Sequence, residues 1–507
     1  MSNHWYCIKK RVVYFFHPFF IIFLLNPSLL HGTPKESETH FQFTLLTKNA
    51  YADLLKLKLP SAENNIKEQL DHNPKDGIAI YLQNYADVLK LFINEDPELY
   101  KTLAPNEEVR LSRIKKLSNK SPYYLFTQAE IKLQWAFVKM KFGDDLGAVW
   151  SIRQAYKLLE ENQKKYPDFT PNQKSLGLLN VLIGSIPEKY SWVASLAGMY
   201  GSINHGVAML DKVIKEDPVY KLEARMIRLG VDYYILHSEQ TSLSSIKNLK
   251  DQNQDNLLIN FMYASVLLKE SYNEQALEVI ESIPKGNQYM ALPFLHYMTG
   301  MVYLNKGEYN KARINFNIYL KEHKGKNFIK DTYYRIFLTH WLSNNDKEAE
   351  ESLAKVIQNG VAIYDADKYA DNFAKNRDFP HKALMEARLY TDGGYYSKAK
   401  TSLSSMVNQK ISSRDKIEYY YRYARIYHKT HELERARDMY LKTIEESGAL
   451  PYYFAPNSAL QLGYIFKEEN NIEEARNYFN LALSYKNHQY KNSIDNKAKA
   501  ALSELKK

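Results

Sequence analysis

The chain has 507 residues, of which 25% are charged, with 68 Lys and Arg against 58 Asp and Glu and one cysteine, Cys7. A net charge of +10 diluted over this length, without basic runs interleaved with aromatics, speaks against a nucleic-acid partner. One cysteine excludes a disulfide framework and a cysteine-built zinc site, and the length suits two to four conventional domains or one long repeat array.

Residues 1–32 have the layout of a secretory signal peptide. Lys9, Lys10 and Arg11 precede a mostly apolar run from Val12 to Leu25, which Asn26 and Pro27 break. The expected product is an exported protein beginning near Thr33, located in the periplasm or associated with the outer membrane. The imperfect small-residue site at Leu30 and Gly32 also fits an anchor left uncleaved. Cys7 stands before the apolar run, so it is not placed to be the acylated cysteine of a lipoprotein. Removing this segment takes away three basic and no acidic residues and lowers the net charge from +10 to +7.

Residues 33–120 are expected to form a helical amino-terminal segment, and residues 121–255 an irregular helical-hairpin region. SPYYLFTQAEIKLQWAFVKMKFGDDLGAVWSIRQAYKLLEEN, from Ser121, alternates apolar and polar residues with a helical period and breaks between Phe142 and Asp145. Next comes GLLNVLIGSIPEKYSWVASLAGMYGSINHGVAML, Gly177 to Leu210, with five glycines and only Glu188 and Lys189 charged. Pro187, Glu188 and Lys189 cut it too short to span a bilayer, and it has neither GxxxxGK[ST] nor GxGxxG. It reads as a packed connector whose glycines allow close helix approach. Trp192, Val193 and Leu196 are covered either by the protein's own helices or by peripheral contact with a membrane surface. The polar KNLKDQNQDN, residues 247–256, closes the region.

Residues 256–507 carry an internal repeat. Gly463, Phe466, Ala475, Phe479 and Ala482 fall at the spacing of a tetratricopeptide helix hairpin, in which small residues let two helices approach and aromatics fill the remaining space. The spacing recurs as Ala424, Tyr427, Ala436 and Tyr440, and as Gly300, Tyr303, Ala312 and Phe316. Weaker copies are Ala387, Tyr390, Ala399 and Leu403; Ala264, Leu267, Ala276 and Ile280; and Phe337, His340, Ala349 and Leu353. Six stacked hairpins are predicted, with an insertion on one face of the array from Val361 to Pro380. The expected fold is all-α, a tetratricopeptide-like solenoid behind a less regular helical amino-terminal half.

The 177–210 block resembles the central block of the eukaryotic tetratricopeptide-repeat protein 39 family, which includes a fungal inclusion-body clearance protein. The matching positions are Gly177, Asn180, Pro187, Leu196, Gly198 and Gly206, with Ile186 where the family's Leu would precede the proline. The order of parts is similar from about Tyr81 to Leu505. The resemblance implies an all-helical protein with no catalytic residues. Its link to lipid droplets and protein aggregates inside eukaryotic cells does not transfer to a chain with a bacterial-type export signal.

No catalytic or metal motif emerges. His428 and His431 in HKTH lie at a helix end and in its turn, and Asp365, Asp367 and Asp371 in DADKYADN lack the glycine and closing Glu of a calcium loop. Neither HExxH nor GxSxG is present, so no enzyme activity, cofactor or metal is expected. Repeat proteins bind along their first helices. The fifth positions there read Phe261, Tyr297, Tyr334, Leu384, Tyr421 and Leu460, joined by Arg388, Arg425, Lys429 and Tyr464. This aromatic row with neighbouring cations either lines a groove for a peptide with apolar and acidic groups or forms the core between hairpins. A terminal-carboxylate clamp is not expected, because the ninth positions include Arg388, Arg425 and Tyr464 where it needs Asn. The expected function is a non-catalytic interaction scaffold with a protein or peptide partner. The alternative is a glycan or lipid binder at the outer membrane.

Overall fold

The computed structural model describes residues 40–186, 198–236, 239–448 and 450–505, where every regular element is an α-helix. Residues 1–32, read above as a secretory signal, and the stretch holding Pro187, Trp192, Val193 and Leu196 lie outside the described residues. In chain order the helices begin with α1 Leu45–Leu55, α2 Leu59–His72, α3 Gly77–Asn94, α4 Pro97–Leu103, α5 Asn106–Lys115, α6 Tyr123–Lys141, α7 Asp145–Lys165 and α8 Asn172–Gly184. They continue as α9 Ile203–Glu216, α10 Lys221–Tyr234, α11 Glu239–Gln252, α12 Leu257–Lys269, α13 Asn273–Ser282, α14 Phe294–Lys306, α15 Tyr309–Glu322, α16 Ile329–Leu342 and α17 Asp346–Gln358. The last are α18 Asp365–Asn376, α19 Lys382–Asp392, α20 Tyr396–Ser404, α21 Ser413–Lys429, α22 Leu433–Ser447, α23 Phe454–Glu468, α24 Ile472–Ser484 and α25 Lys491–Glu504.

The six repeats are the hairpins α12/α13, α14/α15, α16/α17, α19/α20, α21/α22 and α23/α24. Their second-helix alanines, Ala276, Ala312, Ala349, Ala399, Ala436 and Ala475, are all buried. The small-residue logic holds in detail at Gly463, where a Cβ would lie 2.5 Å from the Phe479 ring, so that ring sits directly on bare backbone. Each turn also contains one left-handed residue, five positions before the alanine: Ser271, Gly307, Asn344, Gly394, His431 and Asn470. This conformation reverses the chain in the fewest residues, and only two of the six are the glycine that adopts it freely. The same device recurs in the amino-terminal half, at Gly143 before the buried Ala148 and at Leu57 before the buried Ala62. The hairpins α6/α7 and α1/α2 therefore use the turn geometry of the array, although their sequences read as irregular.

Between the amino-terminal half and the array the buried apolar side chains are continuous, one cluster running from Phe41 to Met298. Within it lies an ion network with no access to solvent. Lys174 on α8 sits 2.7 Å from Glu130 on α6 and 3.0 Å from Glu223 on α10. Tyr51 on α1 donates to Glu223, Ser175 to Glu130, and the ammonium lies 5.2 Å from the Tyr220 ring centre. Gly177 on α8 meets Gly206 on α9, where an added Cβ would lie 2.4 Å from the Gly177 carbonyl oxygen, the close helix approach the sequence suggests, whereas Gly198 has open space where a Cβ would lie.

The stacking order differs from six hairpins in simple succession. After α16/α17 the inserted residues form α18, which packs back on α16 and α17 through Ala370, Phe373 and Ala374. Asp367 ties it down by accepting from the backbone N–H groups of Phe328 at 2.7 Å and Asp331 at 3.0 Å, at the start of α16. The chain then returns, and α19 packs on α14, two hairpins back. Tyr395 donates to Glu274 at 2.8 Å, and Lys398 to the Lys306 carbonyl at 3.0 Å. The array thus forks: α16 to α18 leave as one arm, while α19 to α25 continue the stack.

The arm is braced from the amino-terminal half. Glu95 takes Lys141 at 2.8 Å and the Asn327 amide at 2.5 Å, and all three side chains are largely withdrawn from solvent. Tyr364, just before α18, packs on Phe328 with ring centres 4.9 Å apart.

Candidate functional site

The cleft of the fork is a cavity of about 830 Å³. One wall is α18, the floor is formed by α19, α21 and the start of α23, and the other wall is residues 488–496 leading into α25. Its lining carries Lys368, Arg388, Arg414, Arg422 and Lys491 against Asp365, Asp378 and Glu418, with Tyr369, Phe373, Tyr452, Tyr453, Phe454 and Tyr490 between them.

On the floor, Arg422 donates from Nε at 3.0 Å and from Nη2 at 2.6 Å to one oxygen of Glu418, and Arg414 approaches the other at 3.2 Å. Glu418 is almost fully buried, so two guanidinium groups enclose one carboxylate. Removed from water, such a group is tolerable only with this degree of pairing. Arg388 differs. It donates to the Tyr369 hydroxyl at 2.9 Å and lies over that ring, while its nearest carboxylate, Asp392, is 3.8 Å from Nε. Its side chain remains 30% exposed. Burial alone would raise the Tyr369 phenol, but Arg388 and the hydrogen bonds from Tyr334 and Arg388 outweigh it and hold it below its ordinary value. Across the cavity Tyr453, pushed up to about 12 mainly by burial, meets Tyr490 edge to face at 5.2 Å.

Of the residues singled out as a binding row, Arg388 alone is on the cavity lining. Phe261, Tyr297, Tyr334, Leu384 and Tyr421 are buried between helices. Tyr297 donates to Asp331 at 2.6 Å, Tyr334 packs on Tyr369 and Phe373, and Tyr421 accepts from Asn457 at 2.5 Å. Arg425 donates to Gln461 at 3.0 Å, and Tyr464 packs edge-on against Phe479 at 5.3 Å. Lys429 is partly exposed at the end of α21. Sequence reasoning missed Tyr369, Arg414, Arg422, Tyr453 and Tyr490. The insertion itself was the available signal, since an added helix on one face makes a wall.

The residues weighed as metal ligands have other roles. His431 is the left-handed turn residue of its hairpin, and His428 Nδ1 lies 3.2 Å from the Tyr440 hydroxyl. Asp367 caps α16, while Asp371 pairs with Lys330 at 3.0 Å and Lys375 at 2.6 Å. Among the described residues no helix is long and apolar enough to cross a membrane.

Residues 456–489, across α23 and α24, match the tetratricopeptide-repeat family model. With the hairpin geometry this gives a tetratricopeptide-like helical-hairpin fold, one that commonly mediates protein–protein interaction. No curated protein matches the chain. Among solved structures it is similar to the human IFIT1 dimer with PPP-AAAA, with 16% identity, 84% of this chain and 94% of that one covered, and a TM-score of 0.32. It is also similar to the APC/C hetero-tetramer Cut9-Hcn1, at 9% identity, 92% and 97% coverage and a TM-score of 0.29. For yeast Tom70 the identity is 12%, the coverage 88% and 86%, and the TM-score 0.23.

Proposed function

We propose that this protein is an exported, non-catalytic scaffold that holds a segment of a partner polypeptide in the cleft of its forked array. The observation that carries the reading is the cavity between α18 and the floor helices, where arginines and tyrosines stand on a braced framework. Export rests on the basic and apolar order of residues 1–32, and the absence of a nucleic-acid partner on the diluted charge. The likeness of Gly177 to Leu210 to the tetratricopeptide-repeat protein 39 family agrees with a binding role without catalysis.

Two measurements test this. Amino-terminal sequencing of envelope-fraction protein should find a start near Thr33, and an intact Met1 in the cytosol would remove the export claim. A photo-crosslinking amino acid at Asn372, exposed on the cavity wall, should capture a partner in cells, whereas the same probe at exposed Lys442 on α22 should not. Equal capture at both positions would refute the cleft as the binding surface. The second reading, a glycan or lipid ligand, draws on the cavity's size, which lies within the roughly 300–1,000 Å³ of small-molecule sites. It predicts a protease-resistant, extractable ligand in place of a crosslinked polypeptide.

A further inference from the structure

Resting on the reading of the cleft as a peptide site, we infer that Arg388 is the receiving group for a single carboxylate of the bound segment, set beside an aromatic or large apolar side chain. The three cavity arginines are not equivalent. Arg414 and Arg422 share Glu418, and Arg414 also lies 3.5 Å from Asp378. Among the described residues Arg388 makes one hydrogen bond, to the Tyr369 hydroxyl, and its 3.8 Å approach to Asp392 is too long to be a second. A guanidinium has five N–H donors in a planar fork that matches a carboxylate's two oxygens. Arg388 therefore lines the cavity with most of its N–H donors unused.

The fork is also held in place. Tyr369 both accepts from Arg388 and lies under its face, with the guanidinium carbon 5.3 Å from the ring centre. Tyr369 is itself wedged edge-on against buried Tyr334 at 5.5 Å. A group oriented before binding loses less freedom on binding. The charge balance selects the ligand's charge. On the lining Lys491 is engaged by Asp495 at 2.8 Å and Arg414 and Arg422 by Glu418, so the charge offered to a ligand is that of the Arg388 guanidinium, enough for one added negative charge, while Asp365, Asp378 and Glu418 would oppose a dianion such as phosphate. The edge-to-face pair Tyr453 and Tyr490 supplies an apolar surface on the lining of the same cavity. The carboxylate has two sources, an Asp or Glu side chain or a chain terminus.

The test is selection from two random nonapeptide pools, one amidated and one with free carboxyl ends, on the full chain and on Arg388→Gln, Arg388→Lys and Asn372→Trp, each first checked for unchanged helicity and melting. Wild type should enrich Asp or Glu next to aromatic residues, and the best amidated peptide should bind about tenfold tighter than its Gln counterpart. Arg388→Gln should erase that preference, Arg388→Lys should keep part of it, and Asn372→Trp should block binding. Enrichment confined to the free-terminus pool would assign the terminal carboxylate, and enrichment in both pools the side chain. Peptides that bind in the cleft, are blocked by Asn372→Trp, and show no preference for an acid would overturn the role of Arg388 and leave the peptide site intact. Failure of wild type to enrich any peptide would overturn both. Selection of phosphate-bearing peptides over carboxylates in a phosphoserine-doped pool would overturn the single-charge assignment.

Discussion

Replacing Lys174 with Met removes the one cation of a network that has no access to water. The side chains of Lys174 and Glu223 are 0% exposed and that of Glu130 is 1% exposed. Burial alone would depress the ammonium, but the two carboxylates more than offset it and hold it above the ordinary lysine value. The lysine is therefore charged, and the two glutamates depend on it. Methionine nearly conserves the volume, so the cavity contribution is small, whereas stranding a buried charge typically costs about 3–5 kcal/mol. That range is the expected loss at about pH 7. Its pH dependence has a definite sign. Burial already raises the Glu223 carboxyl, and loss of Lys174, which opposes that rise, would lift it further. An acid whose folded pKa lies above its unfolded value contributes stability that is full below the unfolded value, about 4.3, and is lost as pH rises. The deficit of the variant should therefore shrink as the pH falls from about 7 to about 5. The triple variant Lys174→Met, Glu130→Gln, Glu223→Gln should recover most of it. Urea unfolding with hydrogen-exchange mass spectrometry of α6, α8 and α10 reads both effects. A loss below about 1 kcal/mol, or a deficit that grows on acidification, would refute the argument.

Three further outcomes are expected. Gly206→Ala gains about 1 kcal/mol of helix propensity but drives a Cβ to within 2.4 Å of the Gly177 carbonyl oxygen and 2.8 Å of the Val181 nitrogen, backbone atoms that no rotamer change can move. The overpacking cost of about 1–3 kcal/mol should win, and a raised melting temperature would contradict this. Ala475→Leu, at a fully buried contact of α24 with α23, should cost a similar amount, and an unchanged melting temperature would count against the hairpin register. His428 is lowered to about 4, chiefly by burial and then by Arg425, Lys429 and His431. A histidine depressed in the fold contributes stability present above its unfolded pKa of about 6.5 and lost as pH falls through 4, roughly 2–3 kcal/mol here. The exchange protection of α21 and α22 should drop over that window and do so less in His428→Gln; an equal drop in both proteins would exclude His428 as the cause.

The hairpins were legible because their causes are local. A small residue on each of two helices, an aromatic three or four residues away and a chain reversal between them repeat at intervals that a single strand of text displays, and Ala312, Ala436 and Ala475 stand where that spacing puts them. The α6/α7 hairpin was legible from its helical period and its break between Phe142 and Asp145, though not as a copy of the repeat, whereas α1/α2 escaped notice because Leu57 adopts the left-handed turn conformation that Gly or Asn would have advertised. The cleft could not be read in this way. That α19 would return to α14, leaving α18 as a facing wall, depends on which of several similar apolar helix faces finds the best partner, and each hairpin offers nearly the same face. The fifth-position aromatics show the same ambiguity: Tyr297, Tyr334 and Tyr421 have the chemistry of a binding row, but neighbours from other helices bury them. The Lys174 network likewise joins residues 44 and 49 positions apart, whose pairing only close packing of α6, α8 and α10 makes necessary. Sequence thus determined the unit and its period, because backbone reversal and small-residue contact act within some 40 residues. Tertiary structure decided the fork, the cavity and the placement of Arg388, because burial and charge pairing are settled among segments far apart in the chain.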